Sequence, residues 1–198
     1  DAIVLMEGIE VTRPSNTIDD LVPGLSLRLW NPSDKPVRLK VEPNREAVKE
    51  SLIKLVGNYN RLMAELNILG RSDEKILDEL DYLSADEKKQ YKERLGLLQG
   101  DSTVNHLRTN LQRTMMDPYQ TSGGLDQLAA FGISTDSRKG GSYDAWRQRG
   151  YLEIDEATLD KALLENFHRI TDVFGYAPDG DIRGDSGVAT TLGTWRKD

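Results

Sequence analysis

PNREAVKESLIKLVGNYNRLMAELNILG, residues 43–70, is where the hydrophobic period of this chain changes. Asn44 makes a good N-cap, because its side-chain oxygen can accept a hydrogen bond from a first-turn amide that has no helical partner. From there Val48, Leu52, Leu55, Tyr59, Leu62, Leu66 and Leu69 recur at alternating spacings of four and three. That seam predicts a helix of about 25 residues, about 37 Å long, stopped at Gly70. Val56 and Met63 widen the stripe, so the spacing predicts packing in a bundle rather than in a two-stranded coil.

Upstream of Pro43 the pattern is β. AIVLM and GIEVTR flank Glu7-Gly8, a predicted hairpin turn. LSLRLW alternates, with Leu25, Leu27 and Leu29 on one face; after the turn-rich NPSDKP, VRLKV alternates through Val37, Leu39 and Val41. Residues 1 to about 42 therefore predict four short strands. Two hairpins alone are marginal in water, so a further N-terminal part is expected to complete this sheet.

Downstream the period stays helical. DEKILDELDYL gathers Ile76, Leu77, Leu80 and Leu83. Ser84 and Glu87 have the spacing of a capping box ahead of a stretch carrying Tyr91, Leu95 and Leu98. Asp101 or Ser102 caps a helix with Val104, Leu107, Leu111 and Met115 on one face, ended by Asp117-Pro118. After a glycine-rich turn, FGIST and YLEID predict an inserted β-hairpin over about 131–155. Asp155 then caps a stretch striped by Leu159, Leu163, Ile170, Val173 and Phe174, with Asn166 placed to cap a second segment inside it. The fold class is α+β: a short antiparallel β portion over 1–43, then an elongated helical bundle over 44–198 with the hairpin inserted.

Composition narrows the function. Of 198 residues, 37% are hydrophobic and 30% charged, a large surface for the core, which elongation explains. No run is long and apolar enough for membrane insertion. A net charge of -7 argues against nucleic acid as the main partner. With no cysteine there is no disulfide, thiolate nucleophile or cysteine-held zinc. His106 and His168 stand far apart in helical patterns and read as ordinary helix residues.

Three stretches could carry chemistry. DGDIRGDSG, 179–187, has Asp179, Asp181 and Gly184 where a calcium loop wants them, but Arg183 stands at an oxygen-ligand position and Thr190 replaces the bidentate glutamate. It reads as a polar turn, although Arg183-Gly184-Asp185 motivates an alternative reading as an adhesin or receptor-binding module. Asp19 and Asp20 are adjacent on an extended chain and point to opposite faces, so one of them is expected to organise the turn before Pro23-Gly24. In SRKGGSYDAWRQRG, Arg138, Lys139, Arg147 and Arg149 cluster with Tyr143 and Trp146. Such a mixture fits nucleic-acid stacking, a protein interface or an unengaged hairpin tip. These six residues are the candidate protein-interface set; no catalytic, metal or cofactor residue is assigned, and no enzyme motif occurs.

The order of these pieces resembles the flagellar hook-associated protein 2 family, which caps bacterial flagellar filaments. The likeness rests on GIEVTRPSNTIDDLVPGLSLRL, on VRLKVEPNREAVKESLIKLVGNYNRLMAELN with its Tyr-Asn near the middle, on LQGDSTVNHLRTNLQ, and on LAAFGIST followed by GYLEIDEATLDKALLENFHRITDVF. It covers nearly the whole chain. The loop 136–150 is longer than that family's short turn, and Asp198 stops where the family continues into a terminal helix. The resemblance implies that 1–43 are the C-terminal strands of an incomplete β head domain and 44–198 a helical leg. It implies a non-enzymatic role in a homo-oligomeric cap ring that promotes flagellin polymerisation. The implied partners are flagellin, the hook-filament junction proteins and an export chaperone. It further implies secretion to an external or periplasmic flagellum, and the absence of cysteine is compatible with passage through a narrow export channel.

Overall fold

The structure is a computed structural model that describes residues 1–22, 25–40, 42–135, 149–176, 187–189 and 191. The fold is α+β, built from helices and small antiparallel sheets. It comprises two compact units, Asp1–Pro43 and Asn44–Asp198.

In the first unit β1 (Ala2–Met6) pairs with β2 (Ile9–Arg13), with Met6 opposite Ile9. Glu7 and Gly8 turn the chain at φ of 52° and 86°, the doubly left-handed geometry that matches strand twist. A second hairpin pairs β3 (Thr17–Val22) with β4 (Leu25–Arg28), its register shifting between Ile18 and Val22. Here the structure departs from the sequence reading. Asp19 and Asp20 belong to a strand and not to a turn, and Asp20 accepts Arg13 Nε at 2.9 Å. That ion pair ties β2 to β3, but it is exposed and solvent screening leaves it a minor contributor to stability. Residues 37–40 of VRLKV form no strand: Val37 is 73% exposed and has no partner backbone among the described residues, which alternation alone cannot supply.

The second unit is organised by α1 (Arg45–Gly70), 26 residues capped by the Asn44 side chain on the Ala47 amide. Its buried stripe runs through Leu52, Val56, Tyr59, Met63 and Leu66, while Leu62, on the expected heptad seam, is 43% exposed. Partners pack around the helix from several directions, so a 3.6-residue stripe wins over a 3.5-residue seam. At its start Lys49 reaches Asp160 at 2.6 Å, and Arg45 donates to the Leu163 carbonyl. At its end the carbonyls of Ile68 and Leu69 accept the amides of Gly96 and Leu98, so a distant segment satisfies groups the helix cannot.

The short α2 (Lys75–Asp78) buries Ile76 and Leu77, and α3 (Ala85–Arg94) opens with both bonds of the Ser84–Glu87 capping box in place. Tyr91 and Arg94 of α3 both bond Glu65 of α1. Helix α4 (Ser102–Met116) is capped by Asp101 on the Val104 amide and ends at Asp117. The glycine-rich turn that follows is a hairpin, β5 (Tyr119–Thr121) with β6 (Gly124–Asp126). A 3-10 turn, Leu128–Phe131, leads into β7 (Ile133–Ser134), which pairs with β8 (Glu153–Ile154). The chain then runs through α5 (Glu156–Glu165), capped by Asp155, and α6 (Phe167–Gly175), the break falling at Asn166. Asn166 marks that boundary without its side chain forming a cap bond. No helix among the described residues is long and apolar enough to cross a membrane.

Candidate protein interface

Of the six candidate interface residues, Arg138, Lys139, Tyr143, Trp146 and Arg147 lie outside the described residues, as does Arg183-Gly184-Asp185. The sixth, Arg149, is not available at a surface. It is 6% exposed, donates Nη2 to Asp73 at 2.6 Å and Nε to Glu79 at 3.1 Å, and so spends its fork inside the unit. Burial works against the charge of Arg149, and the bonds to Glu79 and Asp73 outweigh it, raising the guanidinium above its ordinary range. Arg149's hydrogen bond in turn holds the Asp73 carboxyl below its own. Arg149 sits at the root of the basic stretch, where the chain is already in the core.

That root is held by a polar clamp on one helix. Asn67 Nδ2 donates to the Arg149 carbonyl at 2.9 Å, and the Tyr59 hydroxyl donates to the Gly150 carbonyl at 3.0 Å. Asn60 takes both backbone groups of Leu152, donating to its carbonyl and accepting from its amide, each at 2.8 Å. Three side chains of α1 thus satisfy a run of backbone that forms no strand until Glu153. Gly150 has φ of 77°, and an added Cβ would lie 2.9 Å from Met63 Cε and 3.2 Å from Gln112 Cδ. Glycine suits this left-handed position, and an added Cβ would make the flexible ends of Met63 and Gln112 shift. Tyr151 is fully buried beside it, and burial pushes its phenol up to about 12.

At the other root, the Gly132 carbonyl accepts the Asp155 amide at 2.8 Å, just beyond the β7–β8 pair. The described backbone on either side of residues 136–148 is thus fixed, to α1 and to the start of α5. A second polar lock holds the β5–β6 hairpin on α6. Asp126, buried, accepts both Arg169 Nε, at 2.9 Å, and Arg169 Nη2, and it also accepts the Thr121 hydroxyl. The Ser122 amide donates to Asp172 at 2.9 Å.

Sequence reading did not single out the clamp, although it left a trace. Asn60 and Asn67 are seven residues apart on a largely apolar helix, a spacing that places both on one face with Tyr59 beside them. Polar residues repeated next to a buried stripe signal backbone to be satisfied.

Comparison with known proteins identifies the family. Residues 1–198 match the family model described as flagellar hook-associated protein 2 C-terminus. Flagellar hook-associated protein 2 of Treponema maltophilum is 43% identical over 196 residues, covering 97% of this chain and 29% of that protein. The Treponema pallidum protein of the same name is 41% identical over 194 residues, covering 97% of this chain and 27% of that protein. That of Borreliella burgdorferi is 32% identical over 204 residues, covering 98% and 30%. This chain thus spans under a third of the length of these three relatives. No solved structure matches it. With a family model matched from its first residue to its last, the chain belongs to the flagellar hook-associated protein 2 family and corresponds to its C-terminal part.

Proposed function

We propose that this chain is the C-terminal part of a flagellar filament cap, a structural assembly protein that promotes addition of flagellin at the filament tip. Family membership over the whole chain is the observation that carries the reading. In it, residues 1–43 are the last strands of a β head domain and 44–198 form a helical leg with an inserted hairpin. The protein works as a secreted homo-oligomeric ring at the end of the flagellum, with flagellin and the hook-filament junction proteins as neighbours and an export chaperone before secretion. It transforms no substrate. A leg of this kind has to hold its contact loop in a reproducible place, and the clamp of Tyr59, Asn60 and Asn67 on residues 149–152 supports that role. The contact residues are Arg138, Lys139, Tyr143, Trp146 and Arg147.

Deleting the parent gene is expected to leave cells that release unpolymerised flagellin into the medium. Filaments of normal length in that strain would refute the reading.

A further inference from the structure

Helix α3 packs unlike its neighbours. No residue of Ala85–Arg94 is buried, whereas every other described helix buries at least two side chains. Its apolar hold on the core is Tyr91, half-buried, with Leu83 just before the helix and Leu95 just after it. Burial of apolar surface is the main force that seats a helix, so α3 is seated weakly.

The rest of its hold is polar and rests on two carboxylates. Glu65 of α1 accepts the Tyr91 hydroxyl at 2.6 Å and Arg94 Nη2 at 3.0 Å. Glu74, just before α2, accepts Lys92 Nζ at 3.0 Å. Arg94 also lies over the Tyr91 ring, 5.3 Å from its centroid. Solvent reaches both ion pairs and screens them. Glu65 therefore gathers two of the three side-chain bonds that tie α3 to other described elements, including the one from its half-buried tyrosine.

The chain on both sides of α3 is fixed without it. Upstream, Ile76, Leu77 and Leu80 are buried, and Arg149 holds Asp73 and Glu79. Downstream, the amides of Gly96 and Leu98 donate to the carbonyls of Ile68 and Leu69 at the end of α1. The excursion from Ser72 to Gly96 also begins and ends in one place: a Cβ added to Gly96, at φ of 71°, would lie 3.2 Å from Ser72 Cα. That contact and the cap of α1 lie outside residues 84–95, so both persist whether or not α3 is seated. Once unseated, α3 has ten residues and its own capping box, too little to keep a helix formed in water.

We infer that residues 84–95 form a strap, with Glu65 as its clasp, that lifts off α1 and melts as one unit while α1, α2, α4 and α5 keep their fold. Lifting bares the Glu65 side of α1, where Leu62, one turn earlier, is already 43% exposed. The strap is a property of the second unit alone and does not depend on the cap reading.

The test is hydrogen exchange of the full 198-residue chain, resolved by peptide in a mass spectrometer, for the parent and for Glu65→Gln. Amides 88–94 of the parent should exchange at least about a hundredfold faster than amides 59–68 of α1 and the helical amides of α5. Glu65→Gln should speed amides 88–94 about tenfold more, as the loss of one charge-assisted hydrogen bond requires, and leave α5 unchanged. Exchange in α3 no faster than in the buried half of α1 overturns the inference, because α3 then opens only with the whole unit. Equal acceleration of α3 and α5 in the variant overturns it for the same reason, and an α3 rate that the variant leaves unchanged removes Glu65 as the clasp. Should Glu65→Gln lower the melting temperature of the unit, Tyr91→Phe takes away one hydroxyl and keeps the ring: it speeds exchange in α3 alone if the strap exists, and no acceleration, or equal acceleration in α5, refutes it.

Discussion

Replacing Asn60 with alanine should destabilise the second unit well beyond what an exposed helix position would predict. Asn60 satisfies both backbone groups of Leu152, each at 2.8 Å, and Leu152 is 2% exposed, so neither group can turn to water instead. A buried donor or acceptor left without a partner costs about 1–3 kcal/mol. Two of them, partly relieved by local relaxation, come to about 3–4 kcal/mol. Alanine returns about 0.6 kcal/mol because it is the better helix former. The net loss is about 3 kcal/mol, which for a unit of this size lowers the melting temperature by about 10 °C. The assay is thermal unfolding followed by circular dichroism at 222 nm. Asn58→Ala serves as reference: Asn58 lies two residues earlier on α1 and is exposed, so it measures the helix term alone. If Asn60→Ala falls within about 0.5 kcal/mol of that reference, the clamp contributes nothing net and the reasoning about the loop base fails.

Gly150→Ala should cost about 1–2 kcal/mol, chiefly from the left-handed φ of 77° with Met63 Cε shifting to make room; a denaturant midpoint equal to the parent's would contradict the backbone argument. Asp126 is held below the ordinary carboxyl range, chiefly by the hydrogen bond from Arg169, so its stabilising share is present at pH values above about 4 and is lost as pH falls through the depressed folded-state value. Asp126→Asn should therefore lose about 2 kcal/mol at pH 7 and show a flatter fall below about pH 4, read by urea titrations from pH 3 to 7; parallel profiles for parent and variant would assign the acid sensitivity elsewhere. Trp146→Ala should weaken flagellin or subunit contact in a pull-down while leaving the melting temperature unchanged, and an equal loss of thermal stability would make Trp146 a core residue.

Local chemistry accounts for what could be read early. Asn44, Ser84 with Glu87, Asp101 and Asp155 all cap helices where a side-chain oxygen and a first-turn amide lie within three residues of each other. Pairing of Ile133 with Ile154 and of Met6 with Ile9 follows from hydrophobic runs separated by turn-forming or looping sequence. Where a reading failed, the missing information lay elsewhere in the chain. VRLKV alternates like a strand, but a strand exists only if another backbone bonds it. Arg149 looked like part of a basic surface until Asp73 and Glu79, seventy and more residues earlier, enclosed it. The hairpin of β5 and β6 is three residues a side and is held by Arg169 and Asp172, which no window around it contains.

By itself, then, the order of residues determined the helices, their caps, the β-to-helical change at Pro43–Asn44, the α+β class and the family. Which face of α1 is buried and what Asn60 and Asn67 are for were decided only by tertiary structure. The physical reason is range: caps and periods are set by atoms a few residues apart, whereas burial and charge balance depend on groups brought together from 70 to 92 positions away.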